Sequence, residues 1–133
     1  MANLIALDVG TKRIGVASAS TAIRIAIPFT TISVDGEEIS VIRKLVKDES
    51  VETIVVGYPR NQAGEATDQT GYAEAFAARL QDVAPVRFQD ESLTSVMAEE
   101  RLKASGKPYD KGDIDSYAAA IILQDYLEQN YES

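Results

Sequence analysis

The sequence contains no cysteine and no histidine. Without cysteine there is no disulfide, no thiolate nucleophile and no cysteine-ligated zinc or iron–sulfur site. Without histidine there is no Ser-His triad, no imidazole general base and no histidine-bound metal. Any catalysis must come from carboxylates, hydroxyls, lysine or arginine. Cations are scarce: 13 Lys and Arg stand against 21 Asp and Glu, a net charge of −8. That balance argues against a protein that coats nucleic acid by bulk charge, because phosphate neutralisation needs clustered cations. It leaves room for a local basic track and for an acidic cluster that holds a divalent ion. No apolar run approaches the roughly 20 residues of a membrane span. Met1-Ala2-Asn3-Leu4-Ile5 carries no basic segment and runs straight into a strand pattern, so no signal peptide, no membrane partner and a cytoplasmic location are expected.

What is present is an ordinary globular composition, 45% hydrophobic and 26% charged over 133 residues. One domain covering 1–133 is expected, large enough to bury its own core. Leu4-Ile5-Ala6-Leu7 reads as a buried strand ending at Asp8. The turn Val9 to Arg13 and the run Ile14 to Ser18 complete a hairpin. Arg24 to Ile32 suggests a third strand, with Pro28 placing it at an edge or a bulge. Asp35 is expected to cap a helix whose Ile39, Ile42, Leu45 and Val46 share a face. Val51 to Val56 is a fourth strand, followed by Gly57-Tyr58-Pro59 and a loop from Asn61 to Gly64. The spacing of Tyr72, Phe76 and Leu80 predicts a helix over 67–82, its apolar stripe serving the core. Pro85 to Phe88 is a short fifth strand ending at Asp90-Glu91. Helices over 93–105, stopped by Gly106, and over 114–127 close the chain. The order βββαβαβαα predicts an α/β fold: a mixed five-stranded sheet with helices on both faces, a meander of three strands and two more joining parallel to the first.

Three acids fall where elements end toward one rim: Asp8 after the first strand, Glu91 after the fifth and Asp115 at the start of the last helix. Ligand sites of parallel-type sheets gather beyond the carboxyl ends of the strands. Asp8 and Glu91 share one crevice if the first and fifth strands are close neighbours. Ala118, Ala119 and Ala120 let the last helix lie close enough for Asp115 to join them. Converging carboxylates repel, and Mg²⁺ or Mn²⁺, which prefer oxygen ligands, are their natural stabilisers. Two such ions about 3.5–4 Å apart suit phosphoryl transfer. Each acid alone has a plainer reading, as a turn former or a helix-dipole partner. Lys12 and Arg13 on the glycine turn, and the run Arg101, Lys103, Lys107 and Lys111, are candidate phosphate contacts or solvated faces. Tyr109 between those cations is placed to stack on an unpaired base. No exposed apolar stripe compels a dimer, so a monomer or weak homodimer is expected.

Four segments carry a resemblance that spacing cannot supply. They are Leu4 to Ala17, with Asp8-Val9-Gly10-Thr11-Lys12-Arg13-Ile14-Gly15; Val55-Val56-Gly57-Tyr58-Pro59 with Asn61 and Gly64; Asp90-Glu91-Ser92-Leu93-Thr94-Ser95 with Ala98 and Glu99; and Lys111-Gly112-Asp113-Ile114-Asp115-Ser116-Tyr117-Ala118-Ala119 with Ile122 to Leu127. In this order, over nearly the whole chain, they resemble the YqgF family, RuvX-type Holliday junction resolvases also described as pre-16S ribosomal RNA nucleases. The resemblance implies an RNase H-like fold and a Mg²⁺- or Mn²⁺-dependent nuclease with a two-metal site. It places Asp8, Glu91 and Asp115 on the family's acidic triad, with Asp113 an extra carboxylate nearby. Its substrate would be structured nucleic acid, either precursor ribosomal RNA or branched or single-stranded DNA. Two departures stand out. Ser92 replaces a cation of the family's Asp-Glu-Arg-Leu-Thr pattern, and Tyr58-Pro59-Arg60-Asn61 replaces Leu-Pro-Leu-Asn, so that Arg60, with Asn61, offers a new phosphate contact. Two other classes compete: a sugar kinase or ATPase of the actin–hexokinase type, which needs a second lobe this length does not supply, and a catalytically silent RNA- or protein-binding module in ribosome maturation.

Overall fold

The computed structural model describes residues 2–59, 65–91 and 94–131. Its elements are β1 (Asn3–Val9), β2 (Arg13–Ser20), β3 (Ile27–Ser33), α1 (Glu38–Asp48), β4 (Val51–Pro59), α2 (Asp68–Ala78), β5 (Val86–Glu91), α3 (Thr94–Ser105) and α4 (Lys111–Asn130). This is the predicted βββαβαβαα order. The strands form one sheet in the order β3-β2-β1-β4-β5. The first three pair antiparallel, β4 joins β1 in parallel, and β5 joins β4 in parallel.

Alternation along the strands decides which side chains meet which helix. Leu4, Ala6, Ala17 and Val55 face α4 and pack on Ala119, Ile122, Leu123, Tyr126 and Leu127. Ile5, Leu7, Ile14, Val16, Ile54 and Val56 face the other way, onto Ile42 and Val46 of α1 and Ala73 and Phe76 of α2. Covering on both faces is why β1 and β4 read as unbroken apolar runs rather than alternating ones. Helix α3 does not reach the sheet core; it packs behind α4 through Ala98, Ala118 and Ile121.

Several boundaries differ from the sequence reading, each for a local reason. The third strand starts at Ile27, and residues 21–26 form a turn held by the Arg24 N–H on the Ser20 carbonyl at 2.9 Å and the Ala26 N–H on Gln124 Oε1 at 2.9 Å. Pro28 sits on the edge strand beside a register shift opposite Val16 and Ala17, where a missing N–H does no harm. Asp35 does not cap α1. Its carboxylate accepts from the Glu37 N–H at 3.0 Å, and Glu37 is the cap position without a side-chain bond. Helix α2 stops at Ala78, so Leu80 is buried from the turn that follows. Helix α4 starts three residues before Ile114, because Asp110 and Asp113 exchange bonds in a capping box: the Asp113 N–H donates to Asp110 Oδ1 at 2.9 Å and the Asp110 N–H to Asp113 Oδ2 at 3.0 Å. The expected lack of an exposed apolar run is also corrected. Ile23, Ile25, Ile27 and Phe29 are 70, 62, 54 and 44% exposed along the turn and the β3 edge.

The placement of α4 is what matters for function. A Cβ on Gly15 would stand 1.9 Å from the Asp115 carbonyl oxygen and 2.8 Å from the Ser116 nitrogen. The helix backbone therefore lies directly on β2 there, and Thr31 Oγ1 pins its first turn by donating to the Gly112 carbonyl at 2.6 Å. Gly15→Ala should cost about 3 kcal/mol or more, since the clash is with backbone and cannot be relieved by a rotamer. Urea denaturation reads this directly; a loss under about 1 kcal/mol would show that α4 lifts off β2 freely.

Candidate active site

Asp8 is the penultimate residue of β1, Glu91 the last of β5, and Asp115 lies in the first turns of α4. Strands β1 and β5 are not adjacent, because β4 runs between them. Glu91 bridges that gap at a glycine. A Cβ on Gly57 would be 2.7 Å from Glu91 Oε2 and 2.7 Å from Ile122 Cδ1, so the carboxylate leans over the bare backbone of β4. Leu7 pairs with Val56, which puts Asp8 and Gly57 side by side one residue further on. Asp8 shares its parity with Leu4 and Ala6 and so points to the α4 face. Asp115 reaches the same face because its own backbone rests on Gly15, the cross-strand partner of Asp8. Acids separated by 83 and 24 residues of chain thus stand at one rim, beyond the carboxyl ends of the parallel strands.

The electrostatics are unbalanced. Burial, and then the neighbouring Asp115 carboxylate, push the Asp8 carboxyl up to about 6. Asp115 itself is paired with a cation: Arg13 Nε donates to its Oδ2 at 2.6 Å. Arg13 opens β2 on the parity of Gly15, and its carbonyl accepts from the Gly10 N–H at 3.0 Å to close the hairpin turn. Among the described residues no three acidic side chains stand close enough to hold one cation as arranged. The donor set nonetheless fits a hard divalent ion in kind. It is oxygen only, and burial and the neighbouring carboxylate, which raise Asp8, are conditions such an ion relieves. Asp113 has a different task, since its carboxylate closes the α4 capping box.

The basic residues fall in two places. Lys12 is exposed at the hairpin beside Arg13, while Arg101 and Lys103 on α3, Lys107 after it and Lys111 at the start of α4 are all exposed. Tyr109 is partly buried among them and its hydroxyl donates to Glu99 Oε2 at 3.1 Å. Arg60 and Asn61 lie outside the described residues. Sequence reasoning named the acids but missed Gly15 and Gly57, which let them meet. The available signal was a glycine inside a strand pattern, a mark of close approach by backbone or ligand.

A family model for RuvX, Holliday junction resolvase, matches residues 2–129. The chain belongs to the RuvX family. A relative from Chloroflexus aurantiacus is 45% identical over 131 residues, covering 94% of this chain and 86% of its own. Another, from a Synechocystis species, is 44% identical over 128 residues, covering 92% and 84%. Both carry the name "Putative pre-16S rRNA nuclease". Among solved structures, Thermus thermophilus RuvC in complex with a Holliday junction substrate superposes with a TM-score of 0.60 at 12% identity, covering 97% of this chain and 95% of that one. A second RuvC structure from the same species gives 0.54 at 13% identity, covering 96% and 95%. At these identities the likeness concerns the fold, which for this RuvX chain is RNase H-like.

The raised Asp8 has a stability consequence of definite sign. Its folded pKa of about 6 exceeds the ordinary aspartate value of 3.8, so the folded state binds more protons between the two, and stability falls as pH rises from about 4 to about 6. Asp8→Asn removes that loss. Urea denaturation should find the variant about 2–3 kcal/mol more stable than wild type at pH 7 and close to it at pH 4. An equal difference at both pH values would mean that Asp8 ionises without penalty.

Proposed function

We propose that this chain cleaves structured RNA precursors with bound Mg²⁺ or Mn²⁺ held by Asp8, Glu91 and Asp115. That it is a nuclease, a hydrolase of nucleic-acid esters, follows from its family and from the names of its relatives. The metal, the residue roles and the substrate are our reading. One observation carries it: the Asp115 backbone rests on Gly15, the cross-strand partner of Asp8, while Glu91 lies over Gly57 on the strand beside Asp8. Gathering like charges costs stability, and a bound divalent cation offsets that cost at neutral pH, where Asp8 gives up its proton.

A pair of such ions supplies the activation of water and the charge at the leaving oxygen that phosphodiester hydrolysis requires. The chain's own residues do the positioning. Asp8 is fixed by the central strand, Asp115 by the helix backbone on Gly15, and Glu91 by the gap at Gly57. Asp113 stays with the helix cap. Lys12 and Arg13 flank the site where a phosphate would arrive, and Arg101, Lys103, Lys107 and Lys111 offer a second track. Arg60 and Asn61 complete the set by position in sequence. We read 1–133 as one domain and the protein as cytoplasmic, a monomer or weak homodimer; among the described residues no helix is long and apolar enough to cross a membrane. Precursor ribosomal RNA is the substrate favoured by relatives that match over more than nine-tenths of this chain; branched DNA is the competitor.

The test is cleavage of precursor ribosomal RNA, a four-way DNA junction and single-stranded DNA, with Mn²⁺ and with EDTA. Precursor RNA should be cut with Mn²⁺ and untouched in EDTA, and Asp8→Asn should lose more than about a hundredfold in rate, beyond what outer-shell changes already cost. Gly57→Ala should lose about as much, since it displaces Glu91, while costing only about 1–2 kcal/mol because the atoms it meets are side-chain ends. Preference for the junction would shift the substrate to DNA. Binding without cleavage of any member would assign the chain to a silent RNA-binding role. Because few phosphates meet cations, RNA affinity should fall with salt at a log–log slope of only about −2 to −4.

A further inference from the structure

Arg13 holds Asp115 in an arrangement that the metal reading leaves unexplained. The ion pair is short, 2.6 Å, yet its side chains are 38 and 19% exposed, and pairs so open to water add little to stability. Nε alone of the guanidinium nitrogens has a protein acceptor among the described residues, so both Nη groups stay available. The residue closes the Gly10 hairpin turn, while the Asp115 backbone lies on Gly15, the cross-strand partner of Asp8. Asp115 is thus shared between a cation that is present and a carboxylate that wants one.

We propose that Arg13 is a resident counter-cation of Asp115 that gives way when a divalent ion loads and then serves a substrate phosphate. This rests on the metal reading above and adds to it an order of events. While the pair holds, Arg13 offsets the Asp115 charge and ties its carboxylate to the hairpin, and among the described residues the acids do not form a cluster of three. When a divalent ion occupies Asp8 and Asp115, the guanidinium loses its attraction and is repelled by the new charge. The hairpin leaves it at the rim, where its planar fork matches a phosphate. Metal and nucleic acid then strengthen each other's binding, because the residue that opposes the first ligand is released to hold the second.

The experiment is a calorimetric titration of the whole chain with Mn²⁺ alone, on wild type, Arg13→Gln and Arg13→Lys. Alongside it, the affinity for a fluorescent single-stranded RNA is measured with Ca²⁺ and with EDTA. Arg13→Gln should bind Mn²⁺ about two- to fivefold more tightly than wild type, the worth of a partly exposed ion pair. A merely structural guanidinium would move this in the opposite direction. The gain in RNA affinity that Ca²⁺ gives wild type should disappear in Arg13→Gln. Arg13→Lys, which keeps the charge and loses the fork, should fall between, and it decides the matter if Arg13→Gln does not fold. Wild type that binds Mn²⁺ while both variants bind it equally or more weakly overturns the role of Arg13 and leaves the metal site standing. Wild type that binds no Mn²⁺ overturns the metal reading and this one with it.

Discussion

The seating of α4 on β2 at Gly15 is the contact on which the rest of the molecule depends. The Asp115 carbonyl occupies the space a Cβ would fill, and small residues on the same sheet face, Ala6 and Ala17, together with Ala119 of the helix, keep the two layers close. Farther along α4, Ile122, Leu123 and Leu127 bury fully against the sheet. The apolar end thus supplies the adhesion, and the glycine end sets how near the acids come. Fully burying each such aliphatic side chain is worth about 1.5–3 kcal/mol, enough in combination to offset carboxylate repulsion at the other end of one helix.

That repulsion accounts for the electrostatic character of the site. The Asp8 pKa is held up by burial and by Asp115, while Asp115 is bonded to Arg13. A protein that carries −8 overall brings part of its surplus negative charge to one rim, where Arg13 is paired with Asp115. Gly57 serves on β4 as Gly15 does on β2: each removes a side chain so that an acid from another element can cross the space. On the proposed reading the carboxylates supply the chemistry; the glycines make the room in which they approach.

Much of this was legible in the sequence. The strands β1 and β4 are doubly covered, so their apolar runs were clear, and the parallel joining of β4 and β5 followed from the alternation of strand and helix. The acids were recognisable because they end elements, and the four family segments named the same three. Other features depended on contacts that pattern reading does not reach. The start of α4 moved because Asp110 and Asp113 bond to each other's backbone, which also takes Asp113 away from the acids. The stretch from Arg24 read as a strand that Pro28 places at an edge or a bulge; the edge and the register shift are there, but the chain before Ile27 is a turn, and Ile23, Ile25, Ile27 and Phe29 lie exposed. The bridging of β4 by Glu91 was invisible, since it depends on strand order, and a lone glycine after Val56 reads equally as a turn.

The most direct measurement is anomalous diffraction at the manganese edge from crystals of the wild-type chain grown or soaked with Mn²⁺. The account predicts a peak on the α4 face at the carboxyl end of β1, within about 2.0–2.6 Å of carboxylate oxygens from Asp8 and Asp115, with Glu91 turned toward it and Arg13 drawn away from Asp115. A peak elsewhere on the molecule, or saturating Mn²⁺ with no peak there and the Arg13–Asp115 pair intact, would contradict it.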